Sequence, residues 1–387
     1  MRLCNLNLID TEELQHIQVE KGKIKVVTGN AKTLHYIPKE LHIEFENAIA
    51  FPGLINSHDH LDFNLFPRVG NRIYNNYYEW GKDIHLQNRK TIDAVLKIPI
   101  QLRTLWGLYK NLLNGITTVV NHGAKLTVTD PFITVLQNNY SLHSTRFEKH
   151  WRLKLNNVFA KKHPYVIHLG EGTDAMAHDE IDTFIKNNFL NRSLFTVHGV
   201  AMDEEQAKRF KAMVWCPDSN FFLLNATADI KRLKTKTRIL FGTDSTLTAD
   251  WNIWNHLRLA RKTGLMNDRE LFNALTKTPS VAWEQQNSGM ISNGKSADII
   301  VAGPVGSHGL NEFYSLNPKN MLLILQQGEI RLFDEAIKEQ VTKSHVDISR
   351  FSKINVDGNW KYVYGHLPQL IREVKNYYPQ AHFPVST

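Results

Sequence analysis

FPGLINSHDHLDFN, residues 51–64, runs from a Pro-Gly pair through a short apolar segment into His58, Asp59 and His60. Side chains two apart on a strand point to the same side. His58 and His60 therefore share a face, and Asp59 points away. Both imidazoles can reach one metal ion, so the pair is a two-toothed ligand at a strand end. A lone His-x-His is more often a coincidence of surface residues. What else ends a strand in the same way decides the matter.

Four more apolar segments do. TTVVNH ends on His122, YVIHLGE on His168 and Glu171, LFTVH on His198, and RILFGTD on Asp244. Between them lie helical pieces such as HDEIDTFIKNNFL and WNIWNHLRLARKTG. Alternating strands and helices imply parallel strands with helical crossovers. In a parallel barrel the C-terminal edge is where sites are built. Taken singly, His168 and His198 read as hydrogen-bonded core histidines, and Asp244 as a helix cap. Five strand ends in order, all bearing nitrogen or oxygen ligands, are hard to reach by chance.

Three His and one Asp suit Zn²⁺ or Fe²⁺ with a position left open for water. A divalent ion lowers the pKa of that water toward neutrality and supplies a hydroxide nucleophile. Glu171 stands three residues past His168, where a carboxyl group can pass a proton from the water to a leaving nitrogen. His198 then polarises the bond under attack or holds the hydroxide. Asp244 accepts the hydroxide's proton while touching the metal.

The bulk properties fit a large globular enzyme. The chain has 387 residues, is 42% hydrophobic and 22% charged, and carries a net charge of +8. Its Lys and Arg are scattered, which argues against a nucleic-acid partner. The two cysteines, Cys4 and Cys216, are far apart and fit a reducing cytoplasm. MRLCNLNLIDTEELQ has no apolar run suited to a signal peptide, and no stretch approaches the ~18 apolar residues of a membrane span. A soluble cytoplasmic protein is expected, with no membrane contact; a homo-oligomer is compatible with this.

Residues 1–50 read as short strands, with a Lys-Gly hairpin turn inside LQHIQVEKGKIKVVTG. Residues 289–345 look the same, so the chain ends are expected to pair into one small β domain around a 51–288 insertion. Residues 346–387 read as an appended strand and helix. TIDAVLKIPIQLRTLWGLYKNLLN has helical spacing that Pro99 kinks or starts and Gly115 ends.

This ordered set of motifs resembles the amidohydrolase superfamily, and within it the branch of cytosine, guanine and adenosine-type deaminases and triazine hydrolases. FPGLINSHDH is similar to the family's Pro-Gly-x-x-x-x-His-x-His strand, GITTVVN to its second strand and HLGEGTD to its His-x-x-Glu segment. VHGVAMDEEQ resembles the strand-six histidine, WCPDSNFFL the Pro-x-Ser-Asn strand and LFGTDS strand eight. NALTKTPSVAW followed by GMISNGKSADIIVA resembles the closing helix and the return to the β domain. The resemblance implies an α/β fold: a (β/α)8 barrel with a small β-sandwich made from both chain ends. It implies one catalytic divalent metal, zinc before iron, bound by His58, His60, His168 and Asp244. It makes Glu171 the proton shuttle and His198 the electrophilic or hydroxide-positioning histidine.

There is a departure from the family pattern. His122 and His168 are only 46 positions apart, where two complete strand-helix units need roughly 75 to 90. YSLHSTRFEKHWRLKLNNVFAKKHP is therefore expected to hold strands three and four with little or no helix between them. Binuclear members use a carboxylated lysine on strand four. Only Lys161 and Lys162 lie nearby, and they read as a solvated pair, so one metal is favoured.

The long segment after His60 carries Phe63, Phe66, Tyr74, Tyr77, Tyr78 and Trp80, with Arg68 and Arg72. It reads either as a substrate wall, with aromatic faces for a planar ring and an Arg for an anionic group, or as a loop packed down by its own aromatics. Arg68, Trp80, His122 and Asn220 are the expected substrate contacts, although Ser219 and Asn220 also suit a structural role at the end of strand seven. The function expected is hydrolytic deamination of a small nitrogen heterocycle. The alternatives are a cyclic-amide or lactone-type ring hydrolase with one or two metals, and an inactive metal-bound ligand-binding protein. Glu171 argues against the last, because metal binding does not need it.

Overall fold

The computed structural model describes residues 1–35, 40–304, 306 and 309–387. The other seven positions fall inside the two terminal segments expected to form the β domain, and they lie outside the described residues. Four strands open the chain: β1 (Arg2–Leu8), β2 (Leu14–Glu20), β3 (Lys23–Thr28) and β4 (His42–Pro52). Eight follow: β5 (Leu54–Asp59), β6 (Ile116–Asn121), β7 (Thr134–Leu136), β8 (Tyr140–Leu142), β9 (Tyr165–Leu169), β10 (Leu194–His198), β11 (Ala212–Trp215) and β12 (Arg238–Phe241). Five close it: β13 (Ile299–Ala302), β14 (Met321–Gln326), β15 (Glu329–Asp334), β16 (Phe351–Val356) and β17 (Asn359–Tyr364).

The two chain ends meet in one nine-stranded sheet of order β16-β17-β15-β14-β13-β4-β1-β2-β3. β2 and β3 pair from Glu20 opposite Lys23, so Lys21 and Gly22 form a two-residue turn with both φ positive, +49° and +75°. That geometry matches the twist of the flanking strands. The junction of N- and C-terminal halves is β4 against β13, with Phe51 opposite Ile300. The appended segment supplies a hairpin, β16-β17, rather than a single strand. It extends the same sheet, and its helix Leu367–Tyr377 packs on the helix Ile100–Leu113.

The middle strands are all parallel, in two sets of order β5-β6-β7 and β12-β11-β10-β9-β8. Every residue of β5, β6, β9, β10 and β11 is buried. Strands covered on both faces read as continuous apolar runs for this reason. One face encloses Val120, Val166, Phe195, Val197, Val214 and Leu240. Trp283 floors that core, stacked on Phe195 at 4.4 Å and donating its indole N–H to Ser57 Oγ at 3.2 Å. At the edge of the five-stranded set, the N–H groups of Thr243 and Asp244 both donate to the His58 carbonyl at 3.1 Å.

Strand three lies upstream of where the sequence placed it. β7 begins at Thr134, before the 140–164 stretch, and three residues carry too little alternation to be seen. Only Gln137, Asn138 and Asn139 join it to β8. Parallel neighbours need a crossover of a dozen or more residues. β7 pairs with β6 and β8 with β9, and the two do not pair with each other. No helix lies between them.

Pro99 divides the expected helical stretch into Arg89–Leu96 and Ile100–Leu113, standing at the N-cap of the second. This second helix lies close over the turn that follows His60. A Cβ on Gly107 would come 2.1 Å from the Leu61 carbonyl oxygen, so only glycine permits the approach. Arg103 donates to the Asp62 carbonyl at 2.8 Å and Trp106 Nε1–H to the Asn64 carbonyl at 2.8 Å. Among the described residues, no helix is long and apolar enough to cross a membrane.

Candidate active site

The C-terminal ends of the parallel strands bring His58, His60, His168, His198, Glu171 and Asp244 to one place. His58 Nε2 lies 3.2 Å from His168 Nε2 and 3.7 Å from Asp244 Oδ1, and His60 Nε2 lies 3.7 Å from the same oxygen. Ligand atoms of His58, His60 and His168 all lie within 4.8 Å of one another, as do those of His58, His198 and Asp244. A tetrahedron with bonds of ~2.0 Å has edges of about 3.3 Å. The donor separations therefore fit one small cation.

The protonation states fit too. His168 Nδ1–H donates to the His143 carbonyl at 2.7 Å, which leaves Nε2 with a free lone pair. Burial first, then neighbouring imidazoles, hold His58 and His168 well below the usual histidine range. They are neutral at pH 7, as metal ligands must be. Asp244 is raised by burial, but His60, His198 and hydrogen bonds from Ser245 N–H and Ser219 O–H outweigh this and hold it below its ordinary value. Ser219 Oγ–H and Thr248 Oγ1–H donate to Oδ2 at 2.9 and 3.0 Å. The turn that aims this carboxylate is strained, with Asp244 at φ +57°.

Glu171 and His198 face each other across the cluster, Oε1 3.5 Å from Nε2. Burial, then Asp244 and Glu180, lift the Glu171 carboxyl well above the usual range. It holds a proton more readily than an exposed carboxylate does. Burial pushes His198 down to about 4, against an opposing pull from Asp244. Asn220 Nδ2 donates to His198 Nδ1 at 3.0 Å, so the neutral ring carries its hydrogen on Nε2, toward Glu171.

Asp59 faces away from this cluster into a second buried set. Its Oδ1 accepts from Asn64 Nδ2 at 2.8 Å; its Oδ2 accepts from Asn111 Nδ2 at 2.7 Å and Lys110 Nζ at 3.3 Å. Lys110 also donates to Asn64 Oδ1 at 2.8 Å and the Asp244 carbonyl at 3.1 Å, with Thr243 Oγ1 3.3 Å away. The residue between the two histidines thus anchors an ammonium that grips the turn carrying the fourth donor.

A cavity of about 230 Å³ opens over the cluster. Trp80 lines it, with Phe63, Tyr77 and Phe147. Phe66 and Tyr74 are packed into the core instead, so the aromatics of this segment divide between wall and packing. Three expected substrate contacts lie elsewhere. Arg68 is paired with Asp218 and lies over the Phe222 ring at 5.2 Å, outside the cavity wall. Asn220 engages His198 through Nδ2, while its buried Oδ1 has no hydrogen-bond partner. His122 packs its ring 4.4 Å from that of His168 and 5.1 Å from that of His58 without lining the cavity, and neither of its nitrogens has a hydrogen-bond partner.

Two contributors went unrecognised in the sequence. His143, at the end of β8, lines the cavity and orients His168 through its carbonyl. The signal was present: YSLH ends an apolar strand on histidine, as the others do. Lys110 is 1% exposed, and its signal was a lysine and asparagines on the buried stripe of an otherwise apolar helix.

No family model matches the chain. It is 23% identical over 383 aligned residues to the 5-methylthioadenosine/S-adenosylhomocysteine deaminase of Caldicellulosiruptor saccharolyticus, an alignment spanning 82% of this chain and 88% of that one. Among solved structures, a zinc-bound adenosine deaminase from Xanthomonas campestris superposes with TM-score 0.69 at 14% identity, covering 98% of both chains. A mutant atrazine chlorohydrolase from Arthrobacter aurescens, complexed with zinc and atraton, gives 0.66 at 15% identity, covering 97% of this chain and 99% of that one. The 5-methylcytosine deaminase of Klebsiella pneumoniae, liganded with phosphonocytosine, gives 0.61 at 13% identity over 85% of this chain and 97% of that one. These likenesses establish the fold.

Proposed function

We propose that this chain, a member of the deaminase and triazine-hydrolase branch of the amidohydrolase superfamily, hydrolyses a non-peptide C–N bond of a small nitrogen heterocycle, releasing ammonia. The carrying observation is the donor set of His58, His60, His168 and Asp244, with Glu171 and His198 turned toward it at the head of a mostly apolar cavity. These four residues would hold one divalent cation, zinc in preference to iron. When bound, the ion supplies Lewis acidity and brings the pKa of water at the site toward neutrality.

The remaining work falls to the chain's own side chains. Asp244, kept ionised by Ser219, Thr248 and Ser245, is the acceptor for the water's proton. His198 donates from Nε2 to the ring position under attack, held in that tautomer by Asn220. Glu171 delivers a proton to the amine as its bond to the ring carbon breaks, so that water adds as hydroxyl and ammonia leaves neutral. The walls keep bulk water away from the exchange.

The architecture we infer is a (β/α)8 barrel built from the eight strands β5 to β12, irregular at β7 and β8 and joined where Thr243 and Asp244 meet His58. Residues 51–288 form it. Residues 1–50 and 289–345 form the β domain, which 346–387 extends. Both cysteines are free and buried, which favours a cytoplasmic setting; a small-molecule partner is the only one the site calls for.

The test is ammonia release by zinc-loaded protein against a panel of purines, pyrimidines, pterins and triazines. Glu171→Gln should keep its zinc and lose turnover by about 10²-fold or more. Undiminished turnover would remove Glu171 from the chemistry, and no hydrolysis of any heterocycle would end this reading.

A further inference from the structure

The wall above the donor cluster restricts the substrate further, and this inference rests on the hydrolase reading just given. Phe63, Trp80, Ile84, Phe147 and Leu247 supply its apolar lining. Among the described residues, no lysine or arginine lines it. Both arginines of the segment after His60 are engaged outside: Arg68 with Asp218, and Arg72 with Glu79 and over the Tyr74 ring at 4.4 Å. The two carboxylates that reach the cavity, Glu171 and Asp244, belong to the reacting centre.

Few polar groups remain to recognise substituents. Thr248 already donates its hydroxyl to Asp244. That leaves His85, His143, Ser245 and the Tyr77 hydroxyl, which lies 3.3 Å from the Glu180 carboxylate. A phosphate or an amino-acid tail needs charged donors or acceptors that the wall lacks. A ribose brings hydroxyls that must find partners once water is expelled. Size points the same way, since about 230 Å³ is below the ~300 Å³ at which sites for drug-sized ligands begin.

We propose that the substrate is an uncharged, flat heteroaromatic amine carrying short apolar substituents, and not a nucleoside, a nucleotide or an amino-acid-tailed nucleoside. The ring amine faces Glu171 and His198. The substituents lie against Phe63, Trp80, Phe147 and Leu247, where each methylene contributes discrimination of roughly tenfold or more.

Zinc-loaded protein is assayed with alkyl-substituted aminotriazines and aminopyrimidines against adenosine, its 5′-phosphate and S-adenosylhomocysteine. The alkylated rings should exceed all three in kcat/KM by at least about 100-fold. A higher value for any ribosylated compound overturns this inference and leaves the hydrolase reading intact. The same compounds are titrated calorimetrically into Glu171→Gln protein, which reads binding without turnover. If nothing is hydrolysed but the alkylated rings bind at least about tenfold more tightly than adenosine, the hydrolase reading falls and the substrate class stands. Equal affinities, a reversed order, or no binding of the alkylated rings overturns it. Leu247→Arg should weaken the alkylated rings and strengthen the 5′-phosphate by about tenfold each; a variant with native melting temperature that changes neither also overturns it.

Discussion

Lys110 Nζ lies 3.3 Å from Asp59 Oδ2, with the two side chains 1% and 0% exposed. This pair joins the helix Ile100–Leu113 to the residue between the two leading histidines. Removing one member leaves an uncompensated buried charge, which costs about 3–5 kcal/mol. Lys110→Met should lower stability by that amount in urea unfolding, and Asp59→Asn added to it should recover at least half. The Asp244 carbonyl also loses a donor, so zinc affinity in a chelator competition should fall about tenfold. An additive double mutant would show that the two residues do not act as a pair.

Asn220 was expected at the substrate and instead holds His198 Nδ1. In Asn220→Leu the imidazole is free to exchange tautomers. We expect kcat to fall by about 10- to 100-fold, with KM and zinc content near wild type. A selective rise in KM would return Asn220 to substrate binding.

The buried imidazoles make the metal-free protein acid-sensitive. His198 titrates near 6.5 when unfolded and is pushed down to about 4 when folded; His58, His122 and His168 are also held well below 6.5. Between these values the unfolded chain binds more protons than the native one, so stability rises with pH. This contribution is present above about pH 6.5 and is lost as pH falls toward 4, with His198 alone accounting for about 3 kcal/mol. Glu171, raised by burial, acts in the opposite sense, because the native state holds its proton longer. The histidines outnumber it. Unfolding free energy of the metal-free protein should fall steeply below pH 6.5, and a flat profile from 7 to 5 would contradict the burial described.

Gly107→Ala tests the close approach of the helix Ile100–Leu113. Helix propensity alone favours alanine by about 1 kcal/mol. The added Cβ would stand 2.1 Å from the Leu61 carbonyl oxygen, so the helix must lift. We expect net destabilisation of about 2 kcal/mol and weaker zinc binding, because the turn after His60 moves with it. An unchanged or raised melting temperature would contradict the packing.

Much of the site was legible because each of His58, His60, His168, His198 and Asp244 ends an apolar strand, and parallel topology turns sequence order into spatial convergence. Direction along a strand was therefore readable. Direction around it was not: His122 ends its strand at the right level and packs against His58, His60 and His168, yet it does not line the cavity. Arg68 and Asn220 had their charge and amide taken by Asp218 and His198, partners 150 and 22 positions away, which no local pattern reveals. β7 escaped notice because three residues carry no period, and Lys110 because helical spacing shows which face is buried but not what waits there.

Only three residues link β7, the partner of β6, to β8, the partner of β9. A link that short cannot carry a helical crossover. The histidines on the two outer strands are nevertheless in contact: His122, just past β6, and His168, on β9, bring their rings to 4.4 Å. With His58 and His60 at 5.1 and 5.3 Å from His122, four imidazoles from three strands crowd together where the chain is most economical with its connections.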